Sequence, residues 1–202
     1  MCASLATLER LPQYLRILKC KREEGVTNIS STMIANELGL SSIQVRKDLA
    51  LVSKNDGRPG VGFELDEIIA DIEEFLAMRS SKDVIIVGAG RIGQALLNYN
   101  QFENDAKIIM AFDNDEKKCN DTNIIHMSKL KKFVKRKNVH IGIITVPKEA
   151  AQEVCDLMID CGIKAIWNFA PINLKVPDDV VIKNEDLSAS LLILTKKLED
   201  RL

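Results

Sequence analysis

No two cysteines in this sequence stand at CxxC spacing, and the five present (Cys2, Cys20, Cys119, Cys155 and Cys161) are odd in number. That pattern excludes a disulfide framework and a cysteine-rich zinc site, and it points to a reduced, cytoplasmic protein. No apolar run approaches the ~20 residues of a membrane span. Residues 1–11 carry charge and lack the apolar core of a signal peptide, so a membrane is not an expected partner. Histidine is nearly absent. His126 and His140 fit neither a metal-ligand nor a triad spacing, so no metal is expected and a surface or strand-edge role suits both. Internal repeats and low-complexity tracts are missing too. The net charge is only −1, which argues against general adhesion to nucleic acid.

What is present divides unevenly. Residues 1–60 hold 9 Lys/Arg against 6 Asp/Glu, a net of +3, and residues 61–202 hold 19 against 23, a net of −4. The small basic excess lies at the front, where a DNA-binding module would need it. A length of 202 residues allows one domain or two small ones, and 46% hydrophobic residues suffice for real cores.

The front part has a helical pattern. Leu8, Leu11, Leu15 and Leu18 recur at helix spacing, Pro12 suits the first turn of that helix, and Gly25 ends it. Then ISSTMIANELGLSSIQVRKDLALVS predicts two short helices about Gly39. Ala35, Gly39 and Val45 stand at helix-turn-helix spacing: a small residue for close approach, a glycine for the turn, a buried valine beneath the second helix. Ser41 and Gln44 suit a capping box. Ser42, Gln44, Arg46 and Lys47 fall early in the second helix, where side chains can enter a major groove. Arginine suits guanine and glutamine adenine, whereas lysine and serine more often hold phosphate. A plain three-helix packing domain would share the pattern. SKNDGRPGVG (53–62) suits a hairpin or wing. An amphipathic helix at 64–78 leads to a domain boundary near Ser80.

The second part alternates strand and helix. Strands are expected at 83–88, 107–113, 139–146, 163–168 and 180–183, and helices at 91–99, 127–137, 148–161 and 188–201. This order implies a parallel sheet covered on both faces. VIIVGAGRIGQALL (84–97) runs from an apolar strand through Gly88, Gly90 and Gly93 into a helix. The first glycine makes the turn, the second admits a pyrophosphate, and the third lets helix and strand pack. Ala89, Arg91 and Ile92 complete the turn, whose N–H groups would hold the phosphates. Asp113 lies 20 residues past Gly93, where a carboxylate can bond the adenosine ribose, which favours NAD over NADP. Thr145, Val146 and Pro147 end one strand, and Asn168, Phe169, Ala170 and Pro171 end the next; such ends face a ligand crevice in this fold. The glycine turn could instead serve packing alone. KLKKFVKRK (129–137) suits a solvated helix face. Leu187, Leu191, Leu194 and Leu198 form a terminal seam that could pack on its own domain or reach a second subunit.

These pieces in this order resemble the Rex family of redox-sensing transcriptional repressors. RLPQYLRIL, QVRKDL, GVGF, VGAGRIGQALLNY, AFDND, VPKEAAQ, NFAP and NEDL carry the likeness over nearly the whole chain. Three places depart from it: Ala50 to Ser53 replaces an SYFG-like run, the wing KNDGRPGVGF carries an extra residue and Pro59, and Leu187 stands where an aromatic is usual. The resemblance implies an α/β protein with a winged helix-turn-helix domain (1–80), a Rossmann-like parallel-sheet domain (81–186) and a C-terminal dimerisation helix (187–202) swapped between subunits. It implies a homodimeric repressor that binds operator DNA and leaves it when NADH binds, with NADH and NAD as ligands and no catalysis. Arg58 corresponds to the family's wing arginine. Arg16, Tyr99 and Asp186 correspond to an interdomain switch in which Asp186 changes partner, although Asp186 could simply cap the last helix. Two other functions fit the same residues: a small NAD-dependent oxidoreductase, disfavoured by the lack of a substrate domain, and a regulator answering to a CoA-like nucleotide.

Overall fold

A helix whose apolar residues recur every three or four positions needs a partner for that stripe, and the first four helices of the chain supply it to one another. The structure is a computed structural model and describes residues 3–58, 60–76, 82–99, 106–120 and 122–201. The chain divides into two compact units, Met1–Ser80 and Ser81–Leu202.

In the first unit, α1 (Leu5–Glu23) starts at Ser4, whose hydroxyl accepts from the Thr7 N–H at 3.1 Å. It buries Leu11, Tyr14, Leu15 and Leu18. Two expectations fail here. Leu8 is 39% exposed, because the buried face of the helix runs through Thr7, Leu11, Tyr14, Leu15 and Leu18 and Leu8 lies at its edge. Pro12 lies inside the helix, not in its first turn. The bond its ring removes is the one to the Leu8 carbonyl, on an exposed stretch where water can replace it.

The helix α2 (Ser31–Leu38) is capped by Ser30 and closes at Gly39, whose φ of +64° is left-handed. The next, α3 (Ser42–Val52), packs Val45 and Leu49 against Ile34 and Ala35 in one core with α1. Each valine, leucine or isoleucine so buried contributes about 1.5–3 kcal/mol. The expected capping box does not form: Ser41 makes no side-chain cap, and Gln44 turns to Asp48. β1 (Asn28–Ile29) pairs antiparallel with β2 (Phe63–Glu64). Ahead of β2, reciprocal backbone bonds between Arg58 and Gly62, at 2.8 and 2.9 Å, close a small turn in the wing segment. Then α4 (Leu65–Phe75) completes the core. The rest of the expected 64–78 helix, from 77 onward, lies outside the described residues.

The second unit is built on six parallel strands: β3 (Lys82–Val87), β4 (Ala106–Asp113), β5 (Ile124–His126), β6 (Ile141–Ile144), β7 (Ala165–Asn168) and β8 (Val181–Asn184). Their order is β5-β4-β3-β6-β7-β8, so the sheet reverses direction of growth between β3 and β6. A ligand crevice forms at that switch point, outside the carboxyl ends of the strands. Strand β5 was not expected, since three residues are too short for a pattern. Helices are α5 (Arg91–Leu97), α6 (Leu130–Lys137), α7 (Lys148–Cys161) and α8 (Leu187–Glu199).

One sheet face matches the expectation and the other does not. α6 and α7 bury Phe133, Val134, Val154 and Met158 against Ile85, Val87 and Ile144. The opposite face packs Leu96 and Leu97 of α5, and beyond them Val84, Ile108, Ile143 and Trp167 line an open apolar hollow of about 110 Å³. The terminal seam stays uncovered: Leu187, Leu191, Leu194 and Leu198 are 58–64% exposed, and Leu192 and Ile193 join them. α8 buries no residue at all.

Candidate functional site

At the switch point the end of β3 runs into the glycine turn. Gly88 has φ +103°, and a side chain there would meet the Thr145 carbonyl carbon at 2.8 Å. Gly93 sits against the Gly88 carbonyl with Thr145 Oγ1 2.8 Å from where a Cβ would stand. Thr145 Oγ1 itself donates to the Gly88 carbonyl at 2.6 Å. The turn is therefore locked to the end of β6. Gly90 differs: a Cβ there would meet nothing within 4 Å, because the position faces the open cleft.

That cleft holds about 620 Å³. Of the residues expected at the site, Gly88, Gly90, Arg91, Ile92, Asp113, Thr145, Val146, Pro147, Phe169 and Pro171 line it. Four do not. Gly93 and Ala89 lie beneath the turn, and Ala89 gives its N–H to Asp113 at 2.7 Å. Asn168 is fully buried and donates to the Ala170 and Ile172 carbonyls and to Asn184, while the Ala170 N–H returns to Asn168 Oδ1. Asn168 and Ala170 thus shape the loop that carries Phe169 and Pro171. Sequence reasoning missed Lys118, Met127, Ala150 and Val154 in the lining. Met127 follows the unexpected β5; Lys118 falls five residues after Asp113, a spacing with no motif attached.

Asp113 is 9% exposed and accepts three hydrogen bonds: Ala89 N–H and Lys118 Nζ on Oδ2, Asp115 N–H on Oδ1 at 2.9 Å. Burial pushes its pKa up, but the Asp115 and Ala89 amides and Lys118 outweigh that and hold it below the usual carboxylate value. It is an ionised acceptor with room left on Oδ1, which is what a ribose hydroxyl donor requires. A dinucleotide's adenosine half requires an acceptor of this kind beside a glycine turn. Trp167 packs on Phe169 at a tilt of 54° with ring centroids 4.7 Å apart, and its indole N–H donates to Glu185.

In the first unit a second cleft, of about 660 Å³, is lined by Ser30, Ser31, Thr32, Arg46, Gly57 and Arg58 among others. It joins the start of α2, the middle of α3 and the wing. Arg46, Lys47 and Arg58 are exposed, and Ser42 and Gln44 are half-buried on α3. Beneath them lies Asp48, 3% exposed, which accepts from Thr7, Arg10, Tyr14 and Gln44. Burial and the Asp48 bond push the Tyr14 hydroxyl up to about 12. Asp48 binds Arg10, raising the pKa of that guanidinium too.

Arg16 is exposed on α1. Tyr99, 46% exposed, follows α5, and Asp186 caps α8 by accepting the Ala189 N–H at 2.8 Å. Among the described residues no group of three His, Cys, Asp or Glu could hold a metal, and no helix is long and apolar enough to cross a membrane.

Comparison with known proteins follows the same division. Residues 3–50 match the family model described as "Putative DNA-binding protein N-terminus", and residues 79–172 match the "CoA binding domain" model. The redox-sensing transcriptional repressor Rex of Desulforamulus reducens is 41% identical over 198 residues, covering 96% of this chain and 94% of that protein.

The chain belongs to the Rex family of redox-sensing transcriptional repressors.

Solved structures agree with that membership. RSP in complex with β-NAD+ and operator DNA matches with a TM-score of 0.91 and 34% identity, over 100% of this chain and 94% of that one. RSP in complex with β-NADH matches with a TM-score of 0.87 and 33% identity, over 100% and 96%. The fold is thus that of a Rex protein: a DNA-binding unit followed by a Rossmann-type unit. The Rex relatives are repressors and not enzymes.

Proposed function

We propose that this chain is a cytoplasmic, dimeric repressor that holds operator DNA with residues 1–80 and lets go when NADH fills the cleft of residues 81–186. The observation that carries this reading is one polypeptide joining a helix-turn-helix with exposed Arg46 and Lys47 to a glycine-turn cleft closed by an ionised Asp113. Gly88, Gly90 and the start of α5 hold the pyrophosphate. Asp113 takes the adenosine ribose and disfavours a 2′-phosphate, whose charge it would repel. Val146, Pro147, Phe169 and Pro171 give the nicotinamide end apolar contacts. NADH supplies no chemistry; it acts by binding the DNA-incompetent state better. A shift from mostly bound to mostly released needs about 5.5 kcal/mol of differential binding.

Arg46 reads bases, Lys47 and Ser42 hold phosphates, and Arg58 reaches from the wing. Residues 187–202 form the dimerisation helix. The exposed leucines of α8 and the open hollow around Trp167 are the two apolar surfaces a second copy would cover. A dimer suits DNA, since two recognition helices meet half-sites about 34 Å apart. Arg16, Tyr99 and Asp186 act as the switch that links ligand to DNA release.

The test is a titration of labelled operator, selected from a random duplex pool, with and without NADH, NAD, NADPH and CoA. NADH alone should release the DNA at low concentration. Release by CoA and not by NADH would replace the redox reading; tight DNA binding unmoved by every nucleotide would remove the sensor.

A further inference from the structure

Gln44 stands one helical turn before Asp48 on α3, and its Nε2 donates to Asp48 Oδ1 at 3.0 Å. The other donors on that carboxylate come from α1: Thr7 Oγ1 at 3.2 Å, Arg10 at 2.7 and 3.0 Å, and the Tyr14 hydroxyl at 2.7 Å. Five hydrogen bonds thus converge on two oxygens. Burial alone would raise the Asp48 pKa, but the bonds from Arg10, Tyr14 and Gln44 overcome it and keep the group ionised.

An ionised carboxylate has no hydrogen to give. It can be met by the NH₂ end of a carboxamide and not by the carbonyl end. A glutamine on an open helix surface can turn its amide over and offer donor or acceptor to a base with equal ease. Gln44 cannot, because turning over would put Oε1 against Asp48. Oε1 makes no described hydrogen bond within the protein, and among the described residues no buried side-chain oxygen or nitrogen lacks a partner, so Oε1 is open to solvent. What Gln44 presents is an ordered pair: an acceptor, Oε1, beside the second hydrogen of Nε2.

In the major groove, adenine offers a donor, the 6-amino group, next to an acceptor, N7; guanine offers two acceptors. We infer that Asp48 is a positioning residue that fixes the Gln44 carboxamide in the order that reads adenine and rejects guanine. This rests on the operator-binding reading above. It also gives α1 a part in sequence choice, since Thr7, Arg10 and Tyr14 hold the carboxylate that holds the glutamine.

Operator duplexes in which single adenines are replaced by a purine lacking the 6-amino group provide the test. For the parent dimer, one adenine per half-site should lose about tenfold in affinity on that replacement. Gln44→Ala should bind the normal and the amino-deleted duplex equally. Asp48→Asn, which lets the amide turn over, should reduce the tenfold preference to twofold or less while Gln44 remains. A readout free of folding and of DNA is the side-chain amide of Gln44 in the unbound parent by ¹⁵N NMR: slow exchange and coupling to a carboxylate carbon are expected. A parent that binds the operator tightly yet ignores every amino deletion, or a Gln44 amide that exchanges like free glutamine, overturns the inference and leaves the repressor reading standing. A parent that selects no duplex at all overturns both.

Discussion

Asp48 in the first unit and Asp113 in the second are both buried carboxylates, and they differ in what surrounds them. Asp48 takes its five hydrogen bonds from four side chains, three of them on another helix. Asp113 takes three, two of them from backbone amides of its own turn and of the glycine turn. A carboxylate offers about four lone-pair sites. Asp48 is saturated and sealed, so it can only transmit position. Asp113 has capacity left and borders a cleft, so it can receive a ligand. The same functional group serves as a fastener in one unit and as a receptor in the other, and the difference lies in the number and origin of its donors.

The strongest way to break that comparison is Asp48→Ala. It leaves Arg10 beside an empty site. The loss should be about 3 kcal/mol of first-unit stability, the low end for a broken buried pair because Arg10 keeps some contact with water. Thermal unfolding should show the first unit melting early while NADH affinity stays unchanged. Asp113→Ala should do the reverse: about 2 kcal/mol weaker NADH binding by calorimetry, the cost of a hydrogen bond to a charged acceptor, with ligand-free DNA affinity intact. Equal NADH affinity in that variant would mean that the adenosine end binds elsewhere.

Acid sharpens the comparison further. Both carboxylates have folded pKa values below the free value, of about 3.9 for aspartate. Their contribution to stability is whole above that value and is lost as the pH falls through the folded values. Both units should keep their melting temperatures down to about pH 4 and lose them below it. A first unit that weakened already near pH 6 would mean Asp48 is not held ionised. The smallest effect belongs to Lys118→Ala. Its pair with Asp113 is 3.1 Å long, but the lysine is 38% exposed, so the change in stability should stay under about 1 kcal/mol. NADH binding that collapsed in this variant would make Lys118 a full member of the ribose site.

Most of this arrangement was legible in the residues. The glycine turn, the position of Asp113 and the Ala35–Gly39–Val45 unit each need particular residue types at fixed spacing, and local geometry leaves few alternatives. What stayed hidden depends on partners far away in sequence. Nothing near Asp48 announces that Thr7, Arg10 and Tyr14, more than 30 positions earlier, will surround it, so Gln44 looked like half of a capping box. Asn168 looked like a crevice residue because it ends a strand, yet its amide is consumed by the loop that follows. Strand β5 is three residues long and carries no period. The apolar hollow on one sheet face escaped because alternating strands and helices predict coverage without saying how complete it is.

The pairing of Trp167 with Phe169 has an optical consequence. Trp167 is the sole tryptophan of the chain, so all indole emission from this protein arises in the second unit, in contact with Phe169, which lines the cleft at the switch point. Reduced nicotinamide absorbs where indole emits, whereas the oxidised form does not. Energy transfer from Trp167 should therefore dim the protein and brighten the bound cofactor in proportion to NADH occupancy alone. The DNA-binding unit contributes no tryptophan signal to obscure it, so ligand occupancy can be followed without a label while a dye on the duplex reports release in a separate colour.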